Sequence, residues 1–109
     1  MSQAQFHKFR KEAEYSTLFS KFMHKHFGAA RLAHDLSVFD SLLHVSVRGV
    51  LTDDRLERIK MFLEELLEAD EAVGEFVTEE LTVEPSSRGY NYRFRFTIGE
   101  SASIDEDEA

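Results

Sequence analysis

The amino-acid sequence predicts an α+β domain with the element order α–β–α–β–β. Three observations support this prediction: a stretch without glycine or proline at residues 3–27, an amphipathic helix that begins after Thr52, and a strictly alternating strand over residues 90–98. We expect a three-stranded sheet with a C-terminal antiparallel hairpin and with the helices packed on one face. Residues 1–99 should form a single domain, and residues 100–109 a disordered acidic tail.

The composition fits one soluble domain. The chain has 109 residues, of which 42% are hydrophobic, and this is enough for one core but not for two domains. Because there is no cysteine, disulfides, thiolate nucleophiles and cysteine-based zinc sites are excluded. The first residues lack the apolar stretch of a signal peptide, and no apolar run approaches the roughly 20 residues of a membrane span. We therefore expect a cytoplasmic protein that does not contact a membrane.

The charge is unevenly distributed along the chain. The net charge is −8, but residues 1–63 carry a balance of +3 and residues 64–109 a balance of −11. A chain polarised in this way suits head-to-tail self-association, or a basic partner for its acidic half. Simple solubility, together with a charged tail, explains the same asymmetry.

The first helix should end at Gly28, because glycine commonly follows the last helical residue. At about 100° per residue, the helix has two apolar sectors on nearly opposite sides. Their members are Phe6, Phe9, Ala13 and Phe27 in one sector, and Tyr15, Leu18 and Phe22 in the other. A straight surface helix buries a single stripe. This helix should therefore either break near Ser16 and Thr17 or be buried on two sides, and residues 29–36 should add one or two further turns.

A half-buried strand is predicted over residues 42–51. Leu43, Val45 and Val47 alternate there with polar residues, as one face of a sheet requires. Gly49 interrupts the alternation and indicates a bulge or a close approach between two backbones.

A second helix should begin at Thr52 and run to about Ala72. The Thr52 hydroxyl can cap the first backbone N–H groups, and the aspartates that follow favour the positive end of the helix dipole. The apolar residues recur at helical spacing and form one stripe, which consists of Leu56, Ile59, Phe62, Leu63, Leu66 and Leu67. Gly74 is the expected terminator.

A hairpin closes the domain, with its turn between Pro85 and Gly89. One register places the apolar residues of both strands on one face. It pairs Val83 with Tyr92, Leu81 with Phe94, Val77 with Ile98, Glu80 with Arg95 and Thr82 with Arg93. Glu79 would then lie opposite Phe96 on the apolar face, so we expect Glu79 to be near an edge or to have a partner.

No pattern indicates catalysis or metal binding. His24 and His26 are two residues apart, which on a helix points them about 200° away from each other. A catalytic triad could be imagined from His44, Ser46 and Asp40. The sequence around them lacks the glycine motif that exposes a nucleophile. We therefore expect a non-enzyme without a cofactor, a metal or a small-molecule substrate.

The leading hypothesis is a protein-interaction module that associates with itself through the aromatic first helix or through a sheet edge. The helical segments compete for one face of a small sheet, so some aromatic residues should remain exposed, and exposed aromatic patches mark interfaces. The candidates for this surface are Phe6, Phe9, Tyr15 and Phe22.

A second hypothesis is a small acidic inhibitor of the phage type, which imitates nucleic acid and blocks the nucleic-acid or substrate surface of a basic partner enzyme. A row of carboxylates can compete for a phosphate-binding surface by the same electrostatics. The candidate residues are Asp54, Glu57, Glu64, Glu65 and Glu68.

A third hypothesis is contact with nucleic acid through the basic first helix and its surroundings. The candidate residues are Lys8, Arg10, Lys11, Lys21, Lys25 and Arg31. The alternating strand over residues 90–98 also interleaves rings with arginines, but those rings are needed to cover the apolar side of the sheet. The net charge of −8 also opposes nucleic-acid binding.

Overall fold

The structure is a computed structural model that describes the backbone of residues 3–28, 32–39 and 41–100 and the side chains of residues 11–28, 32–39 and 41–99. Within these residues there are two helices and five strands. In chain order they are α1 (Gln3–Phe27), β1 (Ala33–Phe39), β2 (Leu42–Gly49), α2 (Asp53–Ala69), β3 (Val73–Thr78), β4 (Thr82–Ser86) and β5 (Gly89–Glu100).

The α+β class is confirmed, whereas the three-stranded sheet and the α–β–α–β–β order need correction, because the described elements follow the order α–β–β–α–β–β–β. Glu100 is the last residue of β5 rather than the first residue of a tail, and residues 101–109 lie outside the described residues.

β5 is the central strand of the sheet, in which all pairs are antiparallel. The order is β1-β2-β5-β3, and β4 also pairs with β5. A strand has two edges, and β2 occupies one edge of β5 along residues 90–97. β4 and β3 therefore share the other edge, where β4 pairs with residues 89–93 and β3 with residues 96–100. What the sequence predicts as a single strand is thus divided at residues 79–81.

β1 replaces the helical turns expected over residues 29–36, of which 29–31 lie outside the described residues. Leu36 and Val38 lie opposite Val45 and Leu43 of β2, and Val38 is buried. Without β1, one edge of β2 would present a row of unpaired backbone groups. Pairing with β2 therefore outweighs the local helical preference of this alanine-containing segment.

α1 runs without interruption, so the predicted break near Ser16 and Thr17 does not occur. Among its described side chains, those of residues 11–27, the buried ones recur every four positions and are Tyr15, Phe19, Met23 and Phe27. Since four residues exceed one helical turn of 3.6, this stripe slants around the helix. The stripe takes Phe27 from one predicted sector and Tyr15 from the other, whereas Ala13 and Leu18 are exposed, so the straight helix buries part of each sector at a different height.

α1 and α2 lie side by side and antiparallel. Three contacts along the helices define this arrangement: Tyr15 with Asp70, Phe22 with Phe62, and Phe27 with Arg55. Both helices enter one core with alternate residues of β2 and β5; its fully buried members include Phe19, Leu43, Val45, Val47, Ile59, Leu63 and Phe96. The predicted stripe of α2 is confirmed, since Ile59, Leu63 and Leu67 are buried and the other three members pack against them.

α2 begins as predicted and ends earlier than predicted. The Thr52 hydroxyl accepts a hydrogen bond from the Arg55 N–H, which caps the helix. The last helical residue is Ala69, and Gly74 lies within β3. The helix stops because Asp70 adopts an extended backbone and its carboxylate accepts the Ala72 N–H at 2.9 Å.

The predicted hairpin register is correct for β4 and wrong for β3. Val83 lies opposite Tyr92 and Thr82 opposite Arg93, as expected. Val77 lies opposite Thr97 rather than Ile98, and it is 61% exposed. The segment 79–81 leaves the sheet and shifts the register of β3 by one residue. Phe76 takes the inward position instead, with its ring edge-on to Phe96.

The register shift also moves Glu79. Thr78 rather than Glu79 lies opposite Phe96, and the Glu79 N–H donates to the carbonyl of Arg95, the residue predicted to pair with Glu80. The Glu79 carboxylate accepts the Thr97 hydroxyl at 2.7 Å, so Glu79 has the partner that we expected. Leu81 is outside any strand but packs against the core.

The rings of β5 point inward, as its alternation predicts. Tyr92, Phe94 and Phe96 are buried, Ile98 is half-buried, and Tyr90 is 44% exposed. At the Tyr90 end of the sheet, an ideal Cβ on Gly49, whose φ is +148°, would lie 2.5 Å from the Leu32 side chain. An ideal Cβ on Gly89 would lie 2.6 Å from the Gly49 carbonyl oxygen, so the predicted close approach between two backbones is found at Gly49.

The register of β3 can be tested with two truncations at adjacent positions. Phe76→Ala should lower the free energy of unfolding by about 2 kcal/mol or more, because it empties a site against Phe96. Val77→Ala should change it by about 0.5 kcal/mol or less, because Val77 is exposed. Urea denaturation measures both. The register predicted from an unbroken strand requires the opposite order of the two effects.

Candidate functional site: two interaction surfaces

A groove of about 800 Å³ runs between α1 and α2 on the side away from the sheet. Its floor is apolar, because the Phe22 ring stacks on Phe62 with centroids 4.1 Å apart and Leu66 lies beside them. We call this feature the interhelical groove. It is lined by Leu18, Lys21, Phe22, Lys25 and His26 of α1 and by Asp54, Glu57, Arg58, Met61, Phe62, Glu65 and Leu66 of α2.

The two rims of the interhelical groove carry opposite charges. Lys21 and Lys25 are exposed on the α1 rim. The α2 rim carries three exposed carboxylates and one arginine, namely Asp54, Glu57, Glu65 and Arg58. Leu18 and Met61 are 39% and 49% exposed beside the groove floor. The groove therefore combines accessible apolar surface with a basic and an acidic side.

Asp70 holds the two helices together at one end of this pair. Its side chain is only 8% exposed, and it accepts the Tyr15 hydroxyl at 2.5 Å and the Lys11 ammonium at 3.0 Å. Burial acts to raise the pKa of Asp70, but hydrogen bonds from Tyr15, the Ala72 N–H and Lys11 outweigh it and hold that pKa below its ordinary value. Burial and the Asp70 carboxylate raise the pKa of the Tyr15 phenol.

The second surface is the face of the sheet that points away from the helices, which we call the open face. The strand pairing arranges its side chains in four rows across the sheet. The rows are Phe39–Leu42–Thr97–Val77, then Ser37–His44–Arg95, then Asp35–Ser46–Arg93–Thr82, and finally Ala33–Arg48–Asn91–Glu84. The first row is mostly apolar, and the other three are polar.

Positive charge on the open face is concentrated on its two middle strands. Arg48 of β2 and Arg93 and Arg95 of β5 form this cationic band. Burial, followed by the charges of Arg93 and Arg95, lowers the pKa of His44, so its imidazole is neutral at pH 7. The carboxylates stand toward the margins, where Asp35 pairs with Arg48 and Glu84 with Arg93, each at 3.2 Å.

The edges of the sheet are poorly suited to adding another strand. On β1, the Val38 N–H donates to the Glu12 carboxylate of α1 at 2.8 Å. On the opposite side, the edge is divided between β3 and β4, and Pro85 lies within β4. A side chain bound to an edge N–H, an interrupted strand and an edge proline all hinder pairing with another chain.

The residues predicted for self-association are not brought together as one exposed patch. Tyr15 is buried, so the core of a single chain already accounts for its ring. Phe22 is half-buried and forms part of the interhelical groove. The side chains of Phe6 and Phe9 lie outside those that the structure describes, and their role stays a prediction.

The predicted acidic surface is divided. Glu64 accepts the Thr78 hydroxyl at 2.6 Å, and Glu57 pairs with Lys60 at 3.4 Å. Glu65 and Asp54 line the interhelical groove, while Glu68 is exposed outside it. The five carboxylates therefore do not form one uniform row.

The predicted basic surface is also incomplete. Lys11 is bound to Asp70, while Lys21 and Lys25 remain exposed on the groove rim. The other members of this set are Lys8, Arg10 and Arg31, which lie outside the described side chains.

The described side chains do not show the imagined triad assembled. His44 and Ser46 both lie on the open face, but the Ser46 hydroxyl donates to the Asn91 side-chain oxygen at 2.6 Å, and Asp40 lies outside the described residues. Among the residues that the structure describes, no three histidine or acidic side chains converge on a point where they could hold a metal ion. Across the same residues, neither helix is both long enough and apolar enough to span a bilayer.

Sequence reasoning missed two features of these surfaces. Met61 is the one large apolar residue of α2 that lies off the predicted stripe, and this was a usable signal for the interhelical groove. The rows of the open face required β1, which the sequence predicted as helix. Comparison of the chain with protein-family models, curated proteins and solved structures finds no match.

Asp70→Asn should lower the free energy of unfolding by about 1–3 kcal/mol at pH 7, since it weakens hydrogen bonds to a buried charge. The folded-state pKa of Asp70 is depressed, so its contribution is present above the ordinary aspartate pKa of about 4 and is lost as the pH falls through the folded-state value. The difference between the two proteins should therefore shrink in acid. Chemical denaturation over a pH series measures it.

The matched control is Asp35→Asn. Asp35 also pairs with a cation, but its side chain is 72% exposed, so the effect should be about 0.5 kcal/mol or less. Equal effects of the two substitutions at pH 7 would contradict the role given to Asp70.

Proposed function

We propose that this protein is a non-catalytic interaction module that forms a homodimer through the interhelical groove. The observation that supports this most directly is the pair of rims, because a basic and an acidic side flanking one apolar floor complement a second copy of themselves. Symmetric dimers use the same patch twice, so a self-complementary patch is the requirement for such an interface.

The antiparallel helices allow two kinds of two-fold axis in the plane of the interface. An axis across the groove places α1 against α1 and sets lysines against lysines. An axis along the groove places α1 of each copy against α2 of the other. The contact of Phe22 with Phe62 fixes which residues of α1 and α2 lie at the same height along the groove. In this arrangement Lys21 of one copy faces Glu65 of the other, and Lys25 faces Glu57. Only the second arrangement complements charge, and it produces a four-helix layer between two sheets.

The size of this surface sets the expected strength of the dimer. α2 has 17 residues. At 1.5 Å per residue and a diameter of roughly 10 Å per helix, the helix pair offers on the order of 500 Å² per copy. Stable interfaces bury about 1,200–2,000 Å² in total. Two copies would therefore bury roughly 1,000 Å² in total, which is below that range and typical of a weak interface, so we expect dissociation in the micromolar range.

The interhelical groove is favoured over the alternatives by its contacts. A sheet edge is a poorer candidate because Glu12 binds the edge N–H of Val38 and because the other edge is interrupted. The inhibitor hypothesis would use five carboxylates that do not form one row, and one of them, Glu64, is bound to Thr78. The nucleic-acid hypothesis would use a helix on which Lys11 is bound to Asp70. These hypotheses stay predictions that no observation here favours.

A charge exchange tests the proposed dimer. Lys21→Glu alone, or Glu65→Lys alone, should weaken dimerisation about tenfold or more, because two symmetric contacts become repulsive. An equimolar mixture of the two variants should regain dimers, since each mismatched rim then meets a matching one. Sedimentation velocity at low salt over a concentration series measures both effects.

Glu68→Lys is the matched control, since it reverses a charge on the same helix outside the groove. It should leave the dissociation constant within about twofold of the unmodified protein. A chain that stays monomeric throughout the series, or a mixture that does not regain dimers, would overturn the proposal.

A further inference from the structure

The open face is a second surface with a defined order of chemistry. Its apolar row lies at the end of the sheet where β5 leaves toward residue 101, and its cationic band lies behind that row. Phe39 and Val77 are 56% and 61% exposed at the two sides of the apolar row. Both helices lie on the opposite side of the sheet, so no described element covers this face.

We propose that the open face binds an acidic segment of protein chain, and that residues 104–108 of this same chain are its occupant. These residues are Ile104, Asp105, Glu106, Asp107 and Glu108, one apolar residue followed by four acids. A chain that turns back from β5 meets the apolar row first and the arginines next. The segment presents an apolar residue first and acids next, so its chemistry and its sequence order both match the open face.

The distances allow this path. Thr97 of the apolar row lies three residues before Glu100, roughly 10 Å back along the strand at about 3.4 Å per residue. The four residues from Glu100 to Ile104 can span up to about 14 Å. Rows on one face are two residues apart, about 7 Å, so four extended acids cover the two rows behind Ile104.

The arginines of the open face have capacity for further acceptors. In the part of the chain that the structure describes, Arg95 makes no ion pair, and its guanidinium donates to the Thr82 hydroxyl at 3.4 Å. Arg93 pairs with Glu84 through one terminal nitrogen, while its Nε is buried without a hydrogen-bond partner. Buried donors are normally satisfied, and an arginine can hold a carboxylate through two parallel hydrogen bonds.

Attachment favours this segment over a separate acidic protein. A segment joined to the surface by a short linker has an effective concentration in the millimolar range, so weak contacts are enough to hold it. The four carboxylates would meet three arginines, and the acids that already pair with two of them, Asp35 with Arg48 and Glu84 with Arg93, are themselves exposed. The open face is on the other side of the sheet from the interhelical groove, so this inference does not depend on the proposed dimer.

A spin label tests the proposal directly, because the chain has no cysteine and a single introduced one is unique. In Ala109→Cys carrying the label, docking brings position 109 to the end of the sheet that is farthest from Glu100. In NMR spectra at low salt, the amide signals of Ser46, Arg48 and Asn91 should lose most of their intensity. Signals from the solvent side of α2 should keep theirs.

Two variants remove the charges on either side of the contact. Changing the four acids to amides (Asp105→Asn, Glu106→Gln, Asp107→Asn and Glu108→Gln) should restore the signals without touching the described domain. Arg95→Gln should restore them in part. Arg55→Gln, which removes an exposed arginine of α2 outside the interhelical groove, is the matched control and should leave the loss unchanged.

Three results would overturn the proposal. The first is full intensity at Ser46, Arg48 and Asn91 in the labelled chain at low salt. The second is a loss that persists after the four acids are neutralised. The third is an equal loss on an isotope-enriched chain that carries no label, when it is mixed with labelled chains. This would place the segment on a second copy.

Discussion

The burial of alternate side chains of β5 is the constraint on which the rest of the structure depends. β5 pairs with β2, β3 and β4, so the side on which its rings lie decides which side of each neighbour faces the core. Tyr92, Phe94 and Phe96 point toward the helices, and Arg93 and Arg95 therefore point away from them. The same alternation that builds the core also builds the cationic band, since every ring directed inward directs its neighbour outward.

This arrangement gives the molecule two dissimilar surfaces separated by one sheet. The interhelical groove depends on how α1 and α2 are held, and Asp70 secures that pair by joining Tyr15, Lys11 and the chain after α2. The open face depends on strand pairing alone. A substitution that loosens the helices should therefore affect the groove first, while the rows of the sheet stay in place. Binding on one side leaves the other accessible.

Much of the fold could be predicted from local patterns, and the failures have identifiable physical causes. The bounds of α1, the cap at Thr52 and the inward rings of β5 follow from periodicity and capping, which are properties of neighbouring residues. β1 was missed because its conformation depends on pairing with β2. The position of Val77 was wrong because counting along an unbroken strand cannot detect the departure at residues 79–81. The groove was missed because the exposure of Leu18 and Met61 depends on how two distant helices meet.

The pairing of β2 with β5 also has a consequence for how the chain folds. β1 with β2 and β4 with β5 are hairpins of neighbouring strands, whereas β2 and β5 are separated by α2, β3 and β4. Gly49 and Tyr90 are the partners in this pair that are nearest in sequence, and Leu42 and Thr97 are the most distant. Because the entropy lost in closing a loop grows with its length, the Gly49 end is the least costly place for the two hairpins to meet. Once pairing has started there, it can extend residue by residue toward Leu42, and each further pair closes a loop only slightly longer than the one before.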